Sequence, residues 1–222
     1  MLSYDEKLST YLKALEAEDK KTAVKIYKEI LSSAEYGIKE IYNDFIISPM
    51  KKWNCNFEEE DLCIWKEHIM SSILHTLVEC TYPVISRLSS NYGNGKKVII
   101  TCPTEELHDL GIRIISDLFE LSGYNVIYAG NNTPLKTIIK AIEYENPDIV
   151  IISVTTKYNL IFAMKIIKAI VEKTPKQKII IGGQGITGEE KILSEYTNVN
   201  LIQDEILPEY LELIRNKEGE GL

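Results

Sequence analysis

The chain has 222 residues, 45% hydrophobic and 26% charged, which suits one large domain or two small ones. Its formal net charge of −8 argues against a domain that grips nucleic-acid phosphates directly. No stretch approaches ~18 uninterrupted apolar residues and the first residues lack a signal-type apolar core, so the expected setting is the cytoplasm, away from membrane.

Residues 1 to about 92 read as helix throughout. LSTYLKALEAEDKKTAVKIYKEILSSA places apolar residues three and four apart, with lysines and glutamates between them. Gly37 and Ser48-Pro49 punctuate the next segment. EEEDLCIWKEHIMSSILHTLVECTYPVISRLS then predicts a long helix with an acidic first turn, favourable against the positive end of the macrodipole, and a kink at Pro83. The expectation is a four-helix bundle over 1–92, closed by the polar connector SSNYGNGKK. Cys55, Cys63, Cys80 and Cys102 are scattered without a C-x-x-C pair, which predicts reduced thiols and no zinc site.

From residue 93 to 222 the pattern changes to short β-rich runs alternating with amphipathic helices. The strands are KVIITC, NVIYAG, DIVIISV, QKIIIGG and NVNLIQ, and a final helix is expected over LPEYLELIRN. Their consecutive apolar residues suit strands covered on both faces. The fold class is therefore α + α/β: a helical bundle, then a doubly wound five-stranded parallel sheet, flavodoxin-like or Rossmann-like, with order 2-1-3-4-5. In that order the ligand crevice lies between the loops leaving the first and third strands, PTEELHD and SVTTKYN.

The first of those loops carries His108, one of three histidines in the chain. There is no glycine-rich phosphate fingerprint after the first strand, and Glu105 and Glu106 would repel phosphate at the helix N-terminus. A receiver-type acid cluster is disfavoured by Ser153 at the end of the third strand. A histidine two residues after a carboxylate can bind metal through one ring nitrogen while the other donates to the acid. His68 and His75 lie in the helical half, so the loop offers a single ligand, which suits a metal held by a macrocycle: haem or a corrin.

Glu106-Leu107-His108-Asp109-Leu110-Gly111 resembles the D-x-H-x-x-G motif of cobalamin-binding domains, with Glu in place of the first Asp. Ser153-Val154-Thr155-Thr156 resembles the family's S-x-T-T turn, and Gly182-Gly183 its paired glycines. Each part is weak alone; the order and placement of all three are specific. The resemblance covers about residues 97–217. It implies His108 as the lower cobalt ligand in place of the cofactor's own base, oriented by Glu106, with Asp109 and Gly111 beside it. The displaced nucleotide tail would pass the hydroxyls of Ser153, Thr155 and Thr156 and the glycines Gly182 and Gly183, which allow close approach to the backbone.

A helical cap on such a domain resembles two branches, the methyl-carrying corrinoid proteins and the adenosylcobalamin-dependent photoreceptors. Glu in place of Asp, the run Ala129-Gly130-Asn131-Asn132-Thr133-Pro134, and Glu67-His68 lean to the second. That resemblance implies Trp53, Glu67 and His68 around the upper ligand. It departs at Trp53, where thirteen residues intervene before Glu67, and at Asn54, which stands where the photoreceptors carry a histidine. His75 is the remote substitute.

The expectation is a light sensor that binds adenosylcobalamin, is not an enzyme, and signals to a protein partner, a transcription regulator or signalling protein. It lacks the DNA-binding domain that usually precedes such a sensor. Homo-oligomerisation is open, and the connector would be the moving joint. The alternative is a methylcobalamin protein shuttling methyl groups between methyltransferases. A cobalamin store is a further rival, and a mutase small subunit is disfavoured by the helical half.

Overall fold

The computed structural model describes residues 3–53, 59–89, 93–193 and 195–202. The chain divides into two compact units, Met1–Val84 and Ile85–Leu222.

In the first unit α1 spans Tyr4–Glu16 and α2 spans Lys20–Ser33. The start of α1 is set by a capping box: the Ser3 side chain accepts from Glu6 N while Glu6 accepts from Ser3 N. Asp19 caps α2 through Thr22 N at 3.0 Å. A third helical stretch follows, α3 (Ile38–Tyr42) and α4 (Ser48–Lys52), joined by a π-helical turn over Asn43–Ile47. The long α5 spans Glu60–Ser89 and runs through Pro83; the division between the units falls just past that proline.

Ser48-Pro49 does not end the helix as punctuation, because Pro49 sits in the first turn of α4, where a missing N–H is tolerated. In a regular α-helix that N–H would have met the carbonyl of Phe45. The Phe45 carbonyl instead accepts the Tyr11 hydroxyl from α1, and the extra residue of the π turn accommodates the mismatch. Tyr11, Tyr27, Tyr42 and Phe45 are fully buried together, with the Tyr11 and Phe45 rings 4.8 Å apart. Tyr27 reaches α5 through a 2.7 Å hydrogen bond with the buried Thr81.

The expectation of four reduced cysteines is corrected: Cys63 is disulfide-bonded, whereas Cys80 and Cys102 are free thiols. Nothing in the spacing of the cysteines signals this, since pairing depends on a Cα approach that only folding sets.

The second unit is the expected sheet. Strands β1 (Lys97–Pro103), β2 (Asn125–Thr133), β3 (Ile149–Ser153), β4 (Lys178–Gly182) and β5 (Val199–Ile202) are parallel in the order β2-β1-β3-β4-β5. Between them lie α6 (Leu110–Leu121), α7 (Leu135–Glu145), α8 (Leu160–Lys173) and the short α9 (Glu190–Leu193). The final helix expected over LPEYLELIRN lies outside the described residues.

The isoleucine-rich strands make two cores by alternation. Ile149 and Ile151 join Val98, Ile100, Ile112, Ile115 and Phe119 on the α6 side. Val150 and Ile152 join Ile138, Ile142, Ile166 and Ile170 on the α7–α8 side. Because β1 lies between β2 and β3, the loops leaving β1 and β3 flank the point where the winding reverses.

The Tyr11–Phe45 bond gives a direct test. Tyr11→Phe leaves a buried carbonyl short of a donor and should lower the stability of the helical unit by about 1–3 kcal/mol in urea unfolding. The loss should shrink in a Pro49→Ala background, where residue 49 supplies an N–H again.

Candidate corrinoid site

The loop after β1 turns sharply at Glu105, whose φ of +70° lies in the left-handed region unusual for a residue with a Cβ. That turn drives Glu106 inward and lets His108 point outward. Glu106 is fully buried, while the His108 side chain is 58% exposed. His108 Nδ1 lies 2.7 Å from Glu106 Oε1, which also accepts the backbone N–H of His108 at 3.1 Å. The second oxygen, Oε2, accepts the backbone N–H groups of Thr155 at 2.8 Å and Thr156 at 3.2 Å.

The carboxylate thus ties the loop after β1 to the loop after β3. Burial raises its pKa, but hydrogen bonds from Asn159, His108 and Thr155 outweigh that and hold Glu106 below its usual range. With Glu106 ionised, Nδ1 is the ring nitrogen that donates to it, and Nε2 is the one left to face a metal.

Around this pair the loops close tightly. Asn159 is buried and donates from Nδ2 to the Glu105 carbonyl at 3.2 Å. Val154 N donates to Gly182 O at 2.8 Å, and Gly185 N donates back to Val154 O at 3.0 Å. Ser153 pairs with Gly182 across β3 and β4. A Cβ at Gly183, where φ is +109°, would stand 2.2 Å from the Val154 carbonyl oxygen. One at Gly185 would stand 2.7 Å from the Thr156 carbonyl oxygen. Glycine at 183 is thus demanded by the protein's own backbone, whatever lies above it. Ser153, Thr155 and Thr156 are partly buried along the same edge, and Gly111 is partly buried in the first turn of α6. Asp109 faces β2, accepting Tyr128 Oη at 3.1 Å and Asn131 Nδ2 at 3.2 Å.

The other expected residues belong to the helical unit. Trp53 is partly buried just after α4; Glu67, partly buried, and His68, exposed, lie on α5. Asn54 is outside the described residues. Trp65 shares a side of α5 with His68, three residues away, and is 62% exposed. Sequence reasoning missed Asn159 and Gly185, and named Asn132 only as part of the Ala129–Pro134 run, with no role in the histidine loop. Gly185 was visible as the third glycine of G-G-Q-G; Asn159 carries no local signature.

These residues fit a corrinoid. Among the described residues no group of three His, Cys, Asp or Glu side chains could hold a metal ion. A metal that brings its remaining ligands with it, as in a corrin, fits the single exposed imidazole of His108. The buried Asn159 Oδ1 has no hydrogen-bond partner among the described residues, an acceptor left over for a ligand's donor.

Three substitutions test this geometry. Glu106→Gln leaves one acceptor oxygen and turns an amide toward N–H donors, so it should cost about 1–3 kcal/mol at pH 7. Because the folded pKa is depressed, the Glu106 contribution is present above the unfolded value of ~4.3 and lost as pH falls through the folded one. The wild type should therefore lose more stability than Glu106→Gln between neutral pH and pH ~3, read by urea midpoints. Gly183→Ala should cost about 2–4 kcal/mol, from overpacking added to a glycine-only backbone conformation. Gly188→Ala, with φ +84° but only the Lys157 Nζ, at 3.9 Å, near the new methyl, should cost only about 1–2 kcal/mol.

The family model for the B12 binding domain matches residues 96–207. Over 189 residues the chain is 20% identical to trimethylamine corrinoid protein 1 of Methanosarcina acetivorans, covering 84% of this chain and 87% of that one. Its fold is similar to that of the Methanosarcina barkeri monomethylamine corrinoid protein, with a TM-score of 0.75 at 14% identity over 91% of this chain and 94% of that one. The family match takes in just over half of the chain, including the histidine loop, the serine–threonine turn and the paired glycines, and the chain belongs to the B12-binding domain family.

Proposed function

We propose that this protein is a corrinoid protein that carries methyl groups between methyltransferases and has no catalytic activity alone. The observation that carries the reading is the exposed His108 ring, held through Nδ1 by buried Glu106. It sits on a domain of the B12-binding family. Support for methyl carriage comes from the relative and the solved structure, whose names both join a methylated amine to a corrinoid and whose similarity runs over most of the chain, helical half included.

On this reading a bound methylcobalamin supplies a transferable methyl group. The protein's own residues do the rest. His108 Nε2 would bind the cobalt, and Glu106 would hold the ring for it. The hydroxyls of Ser153, Thr155 and Thr156, beside Gly182 and Gly183, would offer hydrogen bonds to polar atoms of the cofactor's nucleotide. Asp109 and Gly111 shape the base of α6. A partner methyltransferase would take up the methyl group. Neither nucleic acid nor membrane is a partner, and the protein works in the cytoplasm; no helix among the described residues is long and apolar enough to cross a membrane.

A light sensor that binds adenosylcobalamin is the second reading. Three features favour it: Glu106 in the place of aspartate, the Asn131-Asn132-Thr133-Pro134 run, and Glu67-His68 on α5, with Trp53 upstream. It would signal to a transcription regulator or signalling protein.

The test uses 15N-labelled protein loaded with cob(II)alamin. Electron paramagnetic resonance should show a doublet from the labelled histidine nitrogen, lost in His108→Ala; a triplet would mean that the cofactor keeps its own base. Gel filtration with methylcobalamin and with adenosylcobalamin, in the dark and after green light, should show co-elution and no light-dependent change in mass. A light-dependent shift with adenosylcobalamin would move the assignment to the sensor.

A further inference from the structure

The end of β2 is irregular. Its pairing with β1 shifts register between Ile100 and Thr101 and again between Thr101 and Pro103, and Gly130 and Asn132 have φ of +78° and +47°. This bulged end grips the histidine loop almost residue by residue. Thr104 Oγ1 donates to Thr133 O at 3.3 Å, and Glu105 N donates to Asn132 Oδ1 at 3.0 Å. Asn132 N donates to Glu106 O at 2.9 Å, and Asn131 Nδ2 donates to Asp109 Oδ2 at 3.2 Å. Two left-handed residues, Glu105 and Asn132, therefore face each other and are bonded on both sides of the Glu105–Glu106 peptide. Such backbone strain persists only where the surroundings over-determine it.

We propose that Asn132 is a positioning residue for the His108 ligand. This rests on the reading of His108 as the cobalt ligand. Asn132 tolerates a left-handed backbone and also presents an acceptor to Glu105 N, which holds the strained turn that sends Glu106 inward and His108 outward. Both residues are exposed, so water would satisfy Glu105 N if the side chain were removed. The bond is not needed to rescue a buried donor. Its effect falls on orientation: without it the turn relaxes toward an ordinary backbone conformation, and the carboxylate and imidazole leave their shared geometry.

The probe is diaquocobinamide, a corrinoid with no base of its own, titrated by absorbance into wild type, His108→Ala, Asn132→Gly and Asn132→Asp. Glycine keeps the left-handed backbone and deletes only the acceptor; aspartate keeps Oδ1. Asn132→Gly should weaken cobinamide binding about fivefold to tenfold, the effect of one hydrogen bond, with an unfolding midpoint matching the wild type. Asn132→Asp should stay within about twofold of the wild type. Wild-type binding by Asn132→Gly would overturn the proposal. So would weakened binding that tracks a lowered unfolding midpoint and is not restored by aspartate, since that describes a fold role. If wild type and His108→Ala bind alike, the ligand reading itself fails and this inference with it.

Discussion

A carboxylate taken out of water is strongly destabilising unless hydrogen-bond donors replace its hydration. Glu106 meets that condition with N–H groups from both loops: two from His108, one backbone and one ring, and the backbone amides of Thr155 and Thr156, beside the Asn159 side chain. The requirement works in both directions. The charge draws the loop after β3 into a fixed conformation, and the fixed loop leaves one oxygen to hold the imidazole. The orientation of the imidazole, its exposure and the shape of the edge beside it all follow from satisfying one buried anion. A charge-assisted network of this kind loses far more when half broken than any one bond suggests.

The neighbouring loops relieve the crowding this creates. Val154 lies between Gly182 and Gly185, bonded to both, and no side chain fits at Gly183 or Gly185 without meeting backbone. On the other side, the bulged end of β2 brings its own donors and acceptors to the same turn. The histidine loop is therefore held from β2 and β3 together, on the two strands that flank β1. The cost of orienting the imidazole is thus met in folding.

The helical unit follows a different logic. Its aromatic cluster is built around a helix that takes an extra residue per turn, and Tyr11 meets the carbonyl that Pro49 cannot serve. Glu67 and His68 lie on α5, with the exposed Trp65 one turn away from His68.

What the sequence determined by itself was set by local periodicity. Isoleucine-rich runs too short for helices, alternating with amphipathic stretches, determine strands covered on both faces. Handedness then limits the order to the observed β2-β1-β3-β4-β5. Glu106 and His108 were legible for the same reason: they sit two residues apart, where side-chain chemistry can be read along the chain. Ser48-Pro49 misled, because a proline breaks a helix or begins one depending on which carbonyls have other donors. Only the tertiary structure decided which groups complete the site. The amides of Thr155 and Thr156 reach Glu106 from about fifty residues away, Asn159 beside β3 enters with no motif of its own, and the run that contains Asn132 does not reveal its bond to the turn at Glu105. A backbone N–H is the same in every residue except proline, so its use as a ligand-orienting donor leaves no trace in the order of side chains.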